Sequence, residues 1–382
     1  MANYDYEIVN GRKIRVRPKE TVSEIDKNGY FRRQPNHFTT PFGDGENDLK
    51  AEGNKRYCLV WAKLCHWSNR AAIVRELEGL EDQISVNMVE HAPHEKNLGW
   101  EYVYNENNID PVLGDQFLSE AYYRADDDYQ GRTTVPALID TTTGKVVNND
   151  YNWLTTYFEV NFRPWHKKGA PELYPVELRE EIDKMNLWLF DNINNAVYRS
   201  SFSRSNEGHF DGVNTFYAAM DRLEKRLETN RFLFGDYVTD SDIRLYVTLA
   251  RLDIRYTAQL GETKRPLYTY KNLWGYAKEL WEIPAFAHHT DFAAIIRQGR
   301  IEGEEDGFRA STHYDLALPK IDWDAQWKVS TERAYLSSDP THPIYLGNNR
   351  RFDIDPTWYD LGAESPKKEE KETPPSCGCC CG

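Results

Sequence analysis

A six-residue apolar run, Tyr57-Cys58-Leu59-Val60-Trp61-Ala62, leads within three residues to Cys65 and then to a helical repeat, and no other feature constrains the chain as much. The run has the composition of a buried strand. Lys63 to Asn69 reads as a turn. Ile73, Leu77 and Leu80 then recur at +4 and +3, as one face of a helix does, and Gly79 stands where that helix should stop. Ile84-Ser85-Val86-Asn87-Met88-Val89 alternates like a second strand. The order strand, Cys-bearing turn, helix, strand is a βαβ unit.

A second half follows an excursion over 91–131. Thr133 to Asp140 reads as a strand entered through Val135-Pro136, Thr142-Thr143-Gly144 turns the chain, and Lys145-Val146-Val147 pairs back as a hairpin. Asn148 or Asn149 is placed to cap a helix through Trp153, Leu154 and Phe158. Residues 1–55 show no clear period and are expected to lie over this domain as an extended arm. The Pro/Gly-rich stretch Pro164 to Pro175 reads as a linker. Beyond it, Leu178, Ile182, Met185, Leu189 and Ile193 form one helical stripe, and Val213, Phe216, Met220, Leu223 and Leu227 form another. Thr239-Asp240-Ser241-Asp242 is a capping box, flanked by Val238 and Ile243 at the spacing of a hydrophobic staple. A further helix over Asn272 to Ala287 is expected to close before Pro284. The expected division is an arm over 1–55, an α/β domain over 56–163, an all-α domain over 164–307, a wrapping extension over 308–363 and a low-complexity, Cys-rich tail over 364–382.

Composition narrows the function. The 61 acidic against 47 basic residues leave a net charge of −14, which repels phosphate backbones and argues against nucleic acid as a partner. No window approaches 18 apolar residues and the start, Met1-Ala2-Asn3-Tyr4-Asp5, is polar, so neither a membrane span nor a signal peptide is expected and the chain reads as cytoplasmic. Only Cys58 and Cys65 of the six cysteines lie in the body, which speaks against a disulfide framework. The 24 Tyr and 11 Trp fit either large cores or an aromatic-lined pocket.

Cys65-His66-Trp67-Ser68-Asn69-Arg70 carries the chemistry. A thiol at the head of a helix faces unpaired N–H groups and the positive end of the macrodipole. Both favour a thiolate, as does Arg70, and a thiol pKa below the free value of about 8.5 is expected. The competing reading is a packed, inert cysteine. Cys58, inside the strand, is read as structural. Position 68 holds Ser, so Cys65 would form a mixed disulfide with a small thiol, resolved by a second one. If Val135-Pro136 is cis, the Val135 backbone faces the cysteine and can pair with a peptide-like ligand; an ordinary trans proline at a strand start is the alternative. His66, His91 and His94 show no ligand spacing, and no metal site is expected in the body. The clustered tail thiols Cys377, Cys379, Cys380 and Cys381 could hold a soft metal, carry an acyl group or simply oxidise.

These motifs resemble those of the Xi-class glutathione transferases, also called glutathionyl-hydroquinone reductases. The similarity runs from about Gly29 to Arg300. The family's Cys-Pro-Trp-Ala-His-Arg is matched by Cys65 to Arg70, its Gly-Trp by Gly99-Trp100 and its Gly-Arg-x-Thr-Val-Pro by Gly131-Arg132-Thr133-Thr134-Val135-Pro136. Its helical signature is matched by Phe234-Gly235-Asp236, Thr239 with Asp242, and Arg251-Leu252-Asp253. Its Gly-x-Phe-x-Arg element is matched by Gly29-Tyr30-Phe31-Arg32-Arg33. The resemblance implies a thioredoxin-like N-terminal domain, an all-helical C-terminal domain and a homodimer. It implies that Cys65 takes a glutathionyl group from an aromatic adduct and that glutathione then frees it. It also implies that Trp100, Arg132, Val135, Pro136, Asp150 and Tyr151 meet the thiol substrate, while Tyr198 and Tyr256 hold the aromatic group. The chain departs from the family at His66, Ser68, Asn69 and the pair Asp150-Tyr151, where the family has Pro, Ala, His and Glu-Ser. Those departures leave another small thiol in place of glutathione, a non-catalytic binding protein, or a general thioltransferase as the competing readings.

Overall fold

The computed structural model describes residues 4–17, 23–92, 98–261, 265–297, 322–328, 333–338, 340 and 343–344. The arm, which shows no period in sequence, opens with a hairpin of β1 (Tyr6–Val9) and β2 (Arg12–Arg15) in antiparallel register. The signal for it is Asn10-Gly11. Both residues take positive φ, 50° and 79°, as a two-residue hairpin turn requires.

The central sheet has four strands: β3 (Tyr57–Trp61), β4 (Ile84–Met88), β7 (Ala137–Asp140) and β8 (Lys145–Asn148), in the order β4-β3-β7-β8. The two strands β5 (Glu90–His91) and β6 (Trp100–Glu101) form a small ribbon beside it. β3 runs parallel to β4 and antiparallel to β7, and β7 is antiparallel to β8. The parallel pair is joined by α1 (His66–Leu77), which completes the βαβ unit. Side chains of β3 alternate between two cores, as a period of two demands. Leu59 and Trp61 pack with Ile73 and Leu77 of α1 and with Leu154 and Phe158 of α3 (Leu154–Val160). Cys58 and Val60 pack with Leu118 and Tyr122 of α2 (Leu118–Ala125) on the opposite face. This is a thioredoxin-like layering.

The helical part follows. α4 (Arg179–Leu189) runs into a π-turn over Phe190–Asn194, then α5 (Ala196–Phe202), α6 (Asn206–Arg226) and α7 (Asp240–Arg251), which ends in a second π-turn over Leu252–Tyr256. Every residue of α7 is buried, so it forms the axis of the domain. Its start is the expected capping box: Asp242 Oδ2 accepts from Thr239 N at 2.8 Å.

Three expectations need correction. Asn148 and Asn149 do not cap α3, whose first turn has no side-chain cap. They hold the arm instead: Asn149 Oδ1 accepts from Phe38 N at 2.9 Å, and Asn148 Nδ2 donates to Thr40 O at 3.0 Å. The strand expected from Thr133 begins at Ala137. Pro284 does not only close a helix; Lys271–Trp281 ends before it, and it opens the next one, Pro284–His288, at a position where its missing N–H costs nothing. Within the extension, Trp323 and Trp327 are buried, the latter 5.2 Å from Trp274 and 5.4 Å from Phe292. Apart from 322–328, 333–338, 340 and 343–344, residues 308–363 lie outside the described residues, as does the Cys-rich tail over 364–382. Among the described residues no helix is long and apolar enough to cross a membrane.

The seam between the two parts carries a buried carboxyl pair. Glu159 of α3 is 1% exposed and faces Asp240 at the head of α7. Burial, and then Asp240, push its pKa well above the usual value of 4.5. Folding therefore holds a proton on Glu159 that the unfolded chain releases. The group's contribution is fully present below about pH 4.5 and is lost as pH rises toward the folded value. Glu159→Gln, which copies the protonated form, should raise the unfolding midpoint at pH 8 by a few degrees, on the order of 1–2 kcal/mol. The gain should vanish at pH 4. Thermal unfolding at the two pH values checks this.

Candidate functional site

Cys65 is the N-cap of α1, with extended backbone at φ −86° and ψ 116°. The turn that presents it is tied from two sides. Ser68 Oγ accepts from Ala62 N at 3.1 Å, which folds the strand end onto the first helical turn. From the helical domain, Arg251 reaches back. Its Nε donates to Leu64 O at 2.9 Å and its Nη2 to Lys63 O at 3.0 Å. Asn69 Nδ2 donates to His289 O at 2.7 Å, adding a second tie across the seam. The cysteine is thus positioned by both domains at once.

Cys65 is 8% exposed and opens onto a cavity of about 460 Å³. Its Sγ lies 3.8 Å from Val135 O, and the Val135-Pro136 peptide is cis. Of the sequence candidates, Cys65, Trp100, Arg132, Val135, Tyr151 and Tyr198 line the cavity. Pro136, Asp150 and Tyr256 do not. The Asp150 carboxylate accepts from Asn36 Nδ2 at 2.8 Å and from Asn152 N at 3.0 Å, and so serves the arm and its own turn. Tyr256 stands one layer behind Tyr198, with its hydroxyl 3.2 Å from His66 Nδ1. His94 lies outside the described residues.

The arm supplies a wall that the sequence reading assigned no role. Glu24 pairs with Arg132 in a fork, at 2.9 Å and 2.8 Å. Gln34 Oε1 accepts from Arg132 N at 2.8 Å. Arg33 donates to Asn195 Oδ1 at 2.9 Å and lays its guanidinium 4.5 Å from the Trp67 ring and 4.4 Å from the Tyr198 ring. Cation–π contact of this kind holds both rings and leaves positive charge over the cavity. Opposite, Trp100 donates from Nε1 to Thr133 O at 3.1 Å and stacks on His91 at 3.8 Å.

Burial sets the protonation states. It raises the phenol pKa values of Tyr198 and Tyr256 above the ordinary 10, against the opposing pull of Arg33 and Arg255 on the first and Arg251 and Arg255 on the second. Both are therefore neutral donors near pH 7. Burial, then Arg251 and Arg70, hold His66 well below 6.5, so its ring is neutral. Burial pushes the Cys58 thiol up to about 11, which makes it an inert core residue. The arrangement offers one nucleophilic sulfur, neutral phenols beside it, an aromatic wall and several guanidinium groups. Among the described residues no cluster of three or more His, Cys, Asp or Glu is placed to hold a metal.

Comparison with known proteins gives a consistent picture. Residues 197–279 match the glutathione S-transferase C-terminal domain family. Glutathione S-transferase omega-like 2 of Schizosaccharomyces pombe is 35% identical over 280 residues, covering 70% of this chain and 88% of that protein. Glutathionyl-hydroquinone reductase YqjG of Escherichia coli is 33% identical, covering 63% of this chain and 73% of that one. The glutathione-bound structure of YqjG superposes with a TM-score of 0.62 at 31% identity, over 71% of this chain and 88% of that chain. The Xi-class transferase of Phanerochaete chrysosporium gives a TM-score of 0.65 at 33% identity, over the same two shares.

Proposed function

The chain belongs to the Xi-class glutathione transferase and glutathionyl-hydroquinone reductase family, and on that footing we propose that it is a glutathione-dependent reductase that removes a glutathionyl group from aromatic, quinol-type adducts. The observation that carries the reading is Cys65 at the head of α1, opening onto a cavity walled by rings and guanidinium groups. A volume of about 460 Å³ is in the range of ligand pockets.

The chemistry balances in two steps. Cys65 Sγ attacks the sulfur of the adduct. The adduct reacts as its keto tautomer, in which the proton of a ring hydroxyl has moved to the carbon that bears the sulfur. A sulfur–sulfur bond forms, the carbon–sulfur bond breaks, and the electron pair of that bond passes through the ring to the carbonyl oxygen. That oxygen takes up the proton lost by the Cys65 thiol, so hydroquinone leaves while the two sulfurs are oxidised to a mixed disulfide. Free glutathione then attacks the mixed disulfide, releasing glutathione disulfide and the Cys65 thiol. The helix N-terminus favours negative charge on the attacking sulfur. The Val135 backbone suits strand-type pairing with the tripeptide, Trp100 lies alongside, and the wall arginines suit its carboxylates. Tyr198, neutral and on the cavity wall, suits donation to the oxygen on which charge develops as the ring leaves. A cytoplasmic homodimer is part of the same reading. The resemblance supports the dimer, and the unpaired thiols of Cys58 and Cys65 fit a reducing compartment.

The test is direct. With a glutathionyl-hydroquinone adduct and free glutathione, chromatography should show hydroquinone released in equal amount to glutathione disulfide. No release would refute the reading. Tyr198→Phe should lower kcat roughly 100-fold with little change in KM, because the bond it removes strengthens only as charge builds. Steady-state kinetics at several adduct concentrations separate the two constants.

A further inference from the structure

The cavity in front of Cys65 is charged against the rest of the chain. The protein carries a net charge of −14, yet the guanidinium groups of Arg17, Arg33, Arg132 and Arg204 line this cavity against the single carboxylate of Glu24. A cleft lined by one sign of charge concentrates the opposite sign within it. Both Glu24 oxygens are already taken, by Arg132 and by Gln34 N. Glutathione brings two carboxylates and one ammonium, so its net negative charge is single and leaves positive charge in excess.

That excess reaches the rings of the cavity. Arg132 directly precedes Thr133, whose carbonyl accepts from Trp100, and so belongs with the backbone that suits the tripeptide. Arg33 stands among the aromatic side chains instead. Its guanidinium lies 4.4 Å from the Tyr198 ring, 4.5 Å from Trp67 and 5.6 Å from Phe31. Phe202 packs on Tyr198 at 5.6 Å and on Phe31 at 5.5 Å, and all four rings line the cavity. Arg204, two residues beyond Phe202, is tied to the arm by its backbone N, which donates to Gly29 O at 2.6 Å.

Among the described residues no carboxylate pairs with Arg33. Its Nε donates to the neutral amide of Asn195, and its Nη2 is buried with no hydrogen-bond partner. Ring contacts hold a guanidinium but do not neutralise it. A partly buried charge without a counter-ion is costly, and a ligand carboxylate would relieve that cost through charge-assisted hydrogen bonds.

We propose that the aryl group this protein accepts carries a carboxylate, and that Arg33 binds it beside Trp67 and Tyr198. The inference rests on the reductase reading above and gives it a substrate class: glutathionyl adducts of carboxylated hydroquinones.

The test uses the full-length protein and two adducts that differ in one group, the glutathionyl adduct of carboxymethyl-hydroquinone and that of its methyl ester. The ring, the sulfur and the glutathione part are common to both. Wild type should favour the carboxylate at least about tenfold in kcat/KM, the effect of one charge-assisted hydrogen bond. Arg33→Gln should bring that ratio to within about twofold of one, whatever happens to the absolute rates. Arg33→Lys keeps the charge without the planar fork and should keep part of the preference. Equal wild-type kcat/KM for the two adducts would overturn the inference and leave the reductase reading standing. So would a loss in Arg33→Gln that is the same for both adducts, because Arg33 would then serve the glutathione part they share. Failure of the wild type to reduce either adduct would refute the reductase reading itself.

Discussion

Cys65→Ser should abolish hydroquinone release, lowering kcat/KM by at least about 10³-fold, while the protein stays folded. The expected size follows from the chemistry. A serine hydroxyl at this place is a far weaker nucleophile toward sulfur, and it cannot form the disulfide through which the glutathionyl group must pass. The fold should tolerate the change well. Residue 65 is an N-cap, a position that serine favours, and the side chains are similar in volume. An unfolding midpoint within about a degree or two of wild type, measured beside the lost turnover, separates lost chemistry from lost structure. Cys58→Ala is the control. That thiol lies in β3 with its pKa pushed up to about 11, so its removal should leave turnover intact.

Arg251→Met should be the most destabilising single change, costing about 3–5 kcal/mol. The guanidinium is fully buried and donates to four acceptors: Leu64 O at 2.9 Å, Lys63 O at 3.0 Å, Val247 O at 2.8 Å and Asn69 Oδ1 at 3.3 Å. Two of these are the backbone carbonyls of the turn that presents Cys65. Methionine fills much of the volume but donates to none of them, and each buried acceptor left without this donor keeps its desolvation cost. The loss should therefore appear twice. Urea unfolding should show the lower stability, and the glutathionylation rate of Cys65 should fall because the turn is no longer held from α7. Arg251→Lys should recover only part of both, since one ammonium cannot span the fork.

Local patterns made much of this architecture legible before any coordinates. The βαβ unit around Cys65 is written in short-range periodicity, and the start of α7 in the Thr239–Asp242 box with Val238 and Ile243 beside it. Both signals lie within a few residues, where one side chain's spacing fixes its neighbour's face. Cys65, Trp100, Arg132, Val135, Tyr151 and Tyr198, named from motifs, all meet at one cavity. What could not be read depends on distant pairings. Glu24 meets Arg132 across 108 positions, and Arg33 meets Asn195 across 162. Nothing in the arm's own sequence points to those partners. The family motif places Asp150 at the ligand; in the fold it stands off the cavity lining and its Oδ1 accepts from Asn36, which no local rule links to it. His66 looked like a simple departure from the family. In the fold its Nδ1 meets the Tyr256 hydroxyl, 190 positions away, a pairing that no local pattern carries.

The most direct test is a single turnover without free thiol. Wild-type protein mixed with a glutathionyl-hydroquinone adduct should release one equivalent of hydroquinone and gain the mass of one glutathionyl group, mapped by peptide analysis to the segment carrying Cys65. Hydroquinone released with no mass gained, or a glutathionyl group found on another cysteine while turnover continues, would contradict the account.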